Sequence, residues 1–186
     1  MRLRNIFILL AVLLALGGYF HYSSRPEPAP PPELRPFVWS IEDEEIEHIE
    51  IRLPRENKSE AFIKEDVEDK FPWYFDDPKR SEIDTERWGG GIPLLLSGPG
   101  AYRMISENAT EEQLTSFGLT QPQMDISLTL EDGTILNITV GDRAPVDSNF
   151  YVHVPGTKDI AMVDFTWYAV LERLVKEPPY AAPPTD

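Results

Sequence analysis

The stretch that decides the fold is FGLTQPQMDISLTLEDGTILNITVGD, Phe117 to Asp142. Met124, Ile126, Leu128 and Leu130 alternate with polar residues before the turn, and Leu136, Ile138 and Val140 alternate after it, so both apolar sets fall on even positions. Such period-two alternation marks half-buried strands. A two-residue Asp-Gly loop would pair even with odd positions and set Leu128 opposite Asn137, which breaks the apolar face. A three-residue loop, Glu131-Asp132-Gly133 with Gly133 left-handed in a G1 bulge, pairs Leu128 with Leu136 and Ile126 with Ile138. The sequence therefore predicts a hairpin over 124–140 closed by three residues.

Outward from the hairpin, Phe150 to Val154 and Ile160 to Val163 extend the sheet as a meander through the turn PGTKD. Asp164 is the expected N-cap of a final helix, whose Trp167, Tyr168, Leu171, Leu174 and Val175 form one apolar face. Upstream, NATEEQLTSFGL predicts a helix with a Thr110/Gln113 capping box and Gly118 just past its end. In the first half, IEIRL sets Ile49, Ile51 and Leu53 on one face of a strand. Glu60 to Lys64 and Phe71 to Phe75 are weaker strand candidates around the acidic turn EDVED. Gly89-Gly90-Gly91 would be costly inside a helix, so a short helix starts at the glycines, with Pro93 in its first turn. The chain returns through Tyr102 to Ile105. The expected fold is α+β: two β-rich halves around a short helical connection, mainly antiparallel sheet packed by two or three short helices.

The N-terminus adds a different kind of segment. MRLRN precedes an apolar run, Ile6 to Tyr22, without a charged residue until Arg25, the order of a secretory signal or a signal anchor. Ala15-Leu16-Gly17 offers a cleavage site, whereas Tyr19, Phe20 and Tyr22 suit the interfacial anchor of an uncleaved transmembrane helix, the reading favoured here. Residues 1–24 are thus expected to anchor the chain in the cell membrane as a single pass. Residues 25–36 carry six prolines and form a polyproline spacer of roughly 35 Å. Residues 37–176 form one extracytoplasmic domain, and 177–186 a disordered proline-rich tail.

Composition narrows the chemistry. With 41% hydrophobic residues the chain can build a core, and a net charge of −15 without a basic stripe argues against nucleic-acid binding. No cysteine is present, which removes disulfides and thiolate chemistry. His21 falls in the apolar run, and His48 and His153 lie on strands without a partner at metal-ligand spacing. No HExxH, EF-hand, G-x-S-x-G or phosphate-binding glycine pattern occurs, so no catalytic residue, metal ligand or cofactor is assigned. Asp76-Asp77 before Pro78 is expected to be a turn. Sequons at Asn57, Asn108 and Asn137 would matter only in a eukaryotic secretory route.

Two function classes remain. One is a non-enzymatic, membrane-tethered accessory domain binding another membrane or envelope protein, with Glu42, Asp43, Glu44 and Glu45 as the expected partner surface, although a merely solvated acidic face accounts for the same residues. The alternative is an envelope glycan-binding protein or hydrolase using carboxylates and an aromatic groove of Trp73, Tyr74 and Trp88, residues whose simpler reading is core.

The order of several short motifs resembles a known family. WSIEDEEIEHIEI, FPWYF, FGLTQP, DISLTLEDGT, ITVGD and FYVHV, over Phe37 to Leu174, are similar in layout to the domain of unknown function 4340 family. That resemblance implies this α+β layout and a membrane-anchored bacterial protein, some members being associated with transporter or gliding-type auxiliary systems, and it implies no activity. GGGIP departs from the longer plain helix usual at that point.

Overall fold

The computed structural model describes residues 37–181, except 69, 71, 90, 146 and 147, and, in a separate N-terminal unit, helical positions 7, 10, 12–17 and 19. The expected spacer at 25–36 and the last five residues, 182–186, lie outside the described residues. Among the described residues no helix is long and apolar enough to cross a membrane. The span expected from Ile6 to Tyr22 is itself only partly described.

Eight strands form one antiparallel sheet in the order β3-β2-β1-β5-β6-β7-β8-β4. They are β1 (Ile46–Leu53), β2 (Lys58–Lys64), β3 (Trp73–Phe75), β4 (Arg103–Ser106), β5 (Met124–Leu130), β6 (Ile135–Arg143), β7 (Phe150–His153) and β8 (Ile160–Val163). The two β-rich halves are thus joined edge to edge through β1 and β5 into a single sheet. Between β3 and β4 the chain crosses from one edge of the sheet to the other. Two short helices lie on that crossing, α1 (Thr85–Trp88) and α2 (Ile92–Ser97). Helix α3 (Glu111–Ser116) follows β4, and α4 (Phe165–Lys176) closes the domain.

The hairpin has the expected register: Leu128 pairs with Leu136, Ile126 with Ile138 and Met124 with Val140. Gly133 has φ of +81°, and the Gly133 N–H donates to Leu130 O at 2.8 Å. The even-position set meets Ile49, Ile51 and Leu53 of β1 on one face, where Ile126, Leu128 and Ile138 are also fully buried. Ile46 joins them although it is three residues from Ile49. A register shift between Ile46 and His48 reconciles the spacing, since an extra residue turns the strand by one pleat.

Helices α1, α2 and α4 cover this face. Asp164 caps α4 through the Thr166 N–H at 2.7 Å, and Trp167, Tyr168, Leu171, Leu174 and Val175 are its buried residues, as the periodicity predicts. Asp84 caps α1 by accepting from the N–H groups of Glu86 and Arg87; the sequence, read as starting a helix only at the glycines, did not disclose this one. The fold also continues beyond the expected boundary at 176. Tyr180 stacks on Phe75 at 3.9 Å and bridges to Ile83, so the chain as far as Ala181 is laid along the β3 edge.

The opposite face is largely polar, with Glu50, Arg52, Asp125, Ser127 and Thr139 on it, and α3 covers only its far end. There the Phe117 ring packs at a tilt on Tyr151, centroids 4.3 Å apart, and Leu119, Ile160 and Met162 are buried outside the main cluster. The capping box on α3 is formed in both directions: the Gln113 N–H donates to Thr110 Oγ1, and the Thr110 N–H donates to Gln113 Oε1.

Candidate partner-binding groove

Helix α2 has six residues, too few to hold itself together in water, so the disposition of its free groups explains its presence. Its last four carbonyls all find donors. Ser97 Oγ donates to Leu94 O at 3.0 Å, Trp167 Nε1 to Leu95 O at 3.0 Å, Trp39 Nε1 to Leu96 O at 2.7 Å, and the Ile41 N–H to Ser97 O at 2.8 Å. The two indoles meet edge to face, centroids 6.1 Å apart. Helix α2 is therefore pinned to α4 by Trp167 and to the entering chain by Trp39. The core-facing Ile92 and Leu96 complete the attachment.

Pinning α2 this way leaves a groove between it and α4. Leu94, Leu95, Gly98, Trp167 and Val170 line it with Asp164 at one end, and its volume is about 490 Å³. Leu94 is 64% exposed on its rim, and Phe37, lying against Gly98, is 61% exposed. Phe165, at the start of α4, is exposed on another side of that helix, toward β6 and β7, with Arg143 over its ring at 5.4 Å. Leu94, Leu95, Trp167 and Val170 thus form an apolar surface between the two helices. Isolated exposed apolar residues are ordinary on soluble proteins, but a patch organised along a groove is the usual form of an interaction site.

The acidic run packs on the same helix, α2. Asp43–Glu45 forms a 3₁₀ turn packed on the flank of α2, tied there by the Ile41 to Ser97 hydrogen bond. Glu42, Glu44 and Glu45 are exposed and Asp43 is half-buried. The structure thus brings the sequence-derived partner surface to the helix that forms one wall of the groove.

The aromatic trio is divided. Trp88 is only 5% exposed and packs on Phe62 at 4.7 Å and on Trp73 at 5.8 Å, inside the core. Tyr74 follows Trp73 on the same strand and so points to the opposite face. Trp73 and Trp88 are brought together; Tyr74 is not.

Titratable groups are paired with structural neighbours. His48 Nε2 lies 3.0 Å from Asp76 Oδ2, and Asp76 also binds Arg80. The Arg80 hydrogen bond, with that of His48, holds the Asp76 carboxyl below the usual range. Asp77 accepts from the N–H groups of Lys79 and Ser81 and from Ser81 Oγ, which makes Asp76-Asp77 the expected turn. His153 Nδ1 lies 2.9 Å from Asp159 O. Burial pushes Asp125 upward on the polar face, against the opposing pull of Arg52 across the strand pair. Among the described residues, no three His, Asp or Glu side chains are grouped to hold a metal ion.

What the sequence did not disclose is the groove itself. Trp39 and Leu96 are 57 residues apart, and Trp167 and Leu95 are 72 apart, so no local pattern links them. Residues 96–174 match the family model described as domain of unknown function (DUF4340). The match starts at the end of α2 and runs into α4. No curated protein and no solved structure matches the chain.

Proposed function

From a chain that carries the DUF4340 domain at residues 96–174, we propose a membrane-tethered extracytoplasmic accessory protein that binds another membrane or envelope protein through the α2/α4 groove. The observation that carries this reading is the apolar groove with Leu94 exposed on it. Its Trp167 N–H is already spent on a backbone carbonyl, so the lining offers apolar surface with few polar groups to orient a reacting substrate. Binding, not turnover, is the use of such a surface. The basic start, the apolar run and the proline spacer support a tether that holds the domain about a spacer length from the bilayer.

The test is twofold. Alkaline washing of membranes should leave the full chain in the pellet with Met1 or Arg2 at its N-terminus; release of a species starting near Gly18 contradicts the anchor. A chain with its spacer shortened should fold normally but lose the protein that co-purifies with the wild type from detergent. Unchanged recovery of that protein contradicts the tethered reading.

A further inference from the structure

We propose that the occupant of the α2/α4 groove is a basic, amphipathic helical segment of the partner protein. The inference rests on the accessory reading above and adds the partner's chemistry. Three observations carry it: the groove's shape, its lining and its charge.

Two helices form the walls, and the longer, α4, has twelve residues. Its groove-lining part runs from Asp164 to Val170, about 9 Å at about 1.5 Å per residue and similar to the six-residue α2, a length over which a third helix of about two turns can insert apolar side chains at i, i+3 and i+4. The large side chains of the lining, Leu94, Leu95, Trp167 and Val170, are apolar, with Asp164 and Thr166 beside them, whereas a small-molecule site needs several converging polar groups. Asp164 supplies the charge among the lining residues and it is negative, as are Glu42, Asp43, Glu44 and Glu45 on the flank of α2. A chain of net charge −15 therefore presents its apolar groove within an acidic field. That field favours a cationic helix and opposes an acidic one, a second copy of this chain included.

The experiment places the full chain in zwitterionic nanodiscs and titrates a labelled Leu/Lys helical peptide of about 14 residues, enough for about four turns. A Leu/Glu peptide of the same pattern is the comparator, and Leu94→Asp nanodiscs provide the reference that cancels peptide binding to lipid. Leu94 is exposed, so this variant should fold; Phe37→Ser, beside Gly98 of the lining, is the second variant. The expected result is Leu/Lys binding at least about tenfold tighter to wild type than to either variant, or about 1.4 kcal/mol. The set Glu42→Gln, Asp43→Asn, Glu44→Gln and Glu45→Gln should weaken binding and flatten its salt dependence. Equal binding of the Leu/Glu peptide, or no difference between wild type and Leu94→Asp, overturns the inference. So does displacement by a peptide of residues 25–36, which would make the chain's own spacer the occupant, or self-association abolished by Leu94→Asp, which would make it a second copy. If these fail while co-purification still depends on the spacer, the accessory reading stands and only the partner's chemistry is wrong.

Discussion

At single positions, the clearest demands fall on glycines. The Asp142 N–H donates to Phe117 O at 2.7 Å, so the turn after α3 lies directly on the end of β6. A Cβ on Gly141 would run into the Phe117 carbonyl oxygen, and one on Gly118, itself at φ of +72°, into the Asp142 carboxylate. Arg55 fastens the same corner, bonding Gln121 O and Asp142 Oδ1. Gly141→Ala should therefore cost about 1–3 kcal/mol in chemical denaturation, as overpacking against rigid backbone does; an unchanged midpoint would deny the close approach. Gly133 is the opposite case, with open space where its Cβ would stand. Gly133→Val should lose about 1 kcal/mol or more through backbone conformation alone, and Gly133→Asn, tolerant of left-handed φ, should lose much less. Equal losses would contradict the three-residue loop. The two sites also differ in legibility. Gly133 follows from the parity of apolar residues on either side of it, whereas the Gly118 to Gly141 contact joins segments whose meeting no local pattern announces.

Among elements, α2 shows most plainly what sequence alone conveys. Its glycine entry and Pro93 mark the start, but Ile92, Leu94, Leu95 and Leu96 read together as a thoroughly buried segment, whereas Leu94 is 64% exposed on the groove rim, and its end depends on two distant indoles. Trp39→Phe keeps most of the packing and removes the donor to Leu96 O. It should destabilise the domain by about 1–3 kcal/mol, the cost of a carbonyl left without a partner, measured by thermal or urea unfolding. Full stability in that variant would mean the indole packs without bonding. Helix α4 yields a pH prediction. Burial, and then the nearby Glu172 carboxylate to which Tyr168 donates at 3.2 Å, push the Tyr168 phenol up to about 12. Its folded value lies above the unfolded one, so its contribution is intact below pH 10 and is lost as pH rises towards 12. Tyr168→Phe should flatten that part of the alkaline unfolding curve, and identical wild-type and variant curves would refute the assignment. The helix's apolar face, by contrast, was readable in full because all five buried residues recur at helical spacing.

For the molecule as a whole, strand identity was legible and strand order was not. Alternation in β1, β5 and β6 reports which face is buried, but nothing local reports that β4 crosses to the far edge beside β8 or that β1 joins β5. Those pairings come from burying two apolar sets against each other and from the helical crossing that α2 and α4 hold in place. The acidic run was visible as charge, and its position against α2 followed only from that crossing. A genetically encoded photocrosslinker at position 94, in the full chain in intact membranes, tests the central claim most directly, with position 127 on the polar sheet face as the control. The account predicts an adduct with one membrane or envelope protein from position 94, absent from position 127 and lost when the spacer is shortened. Equal adducts from both positions, or from position 94 only adducts with lipid or with this chain, would contradict it.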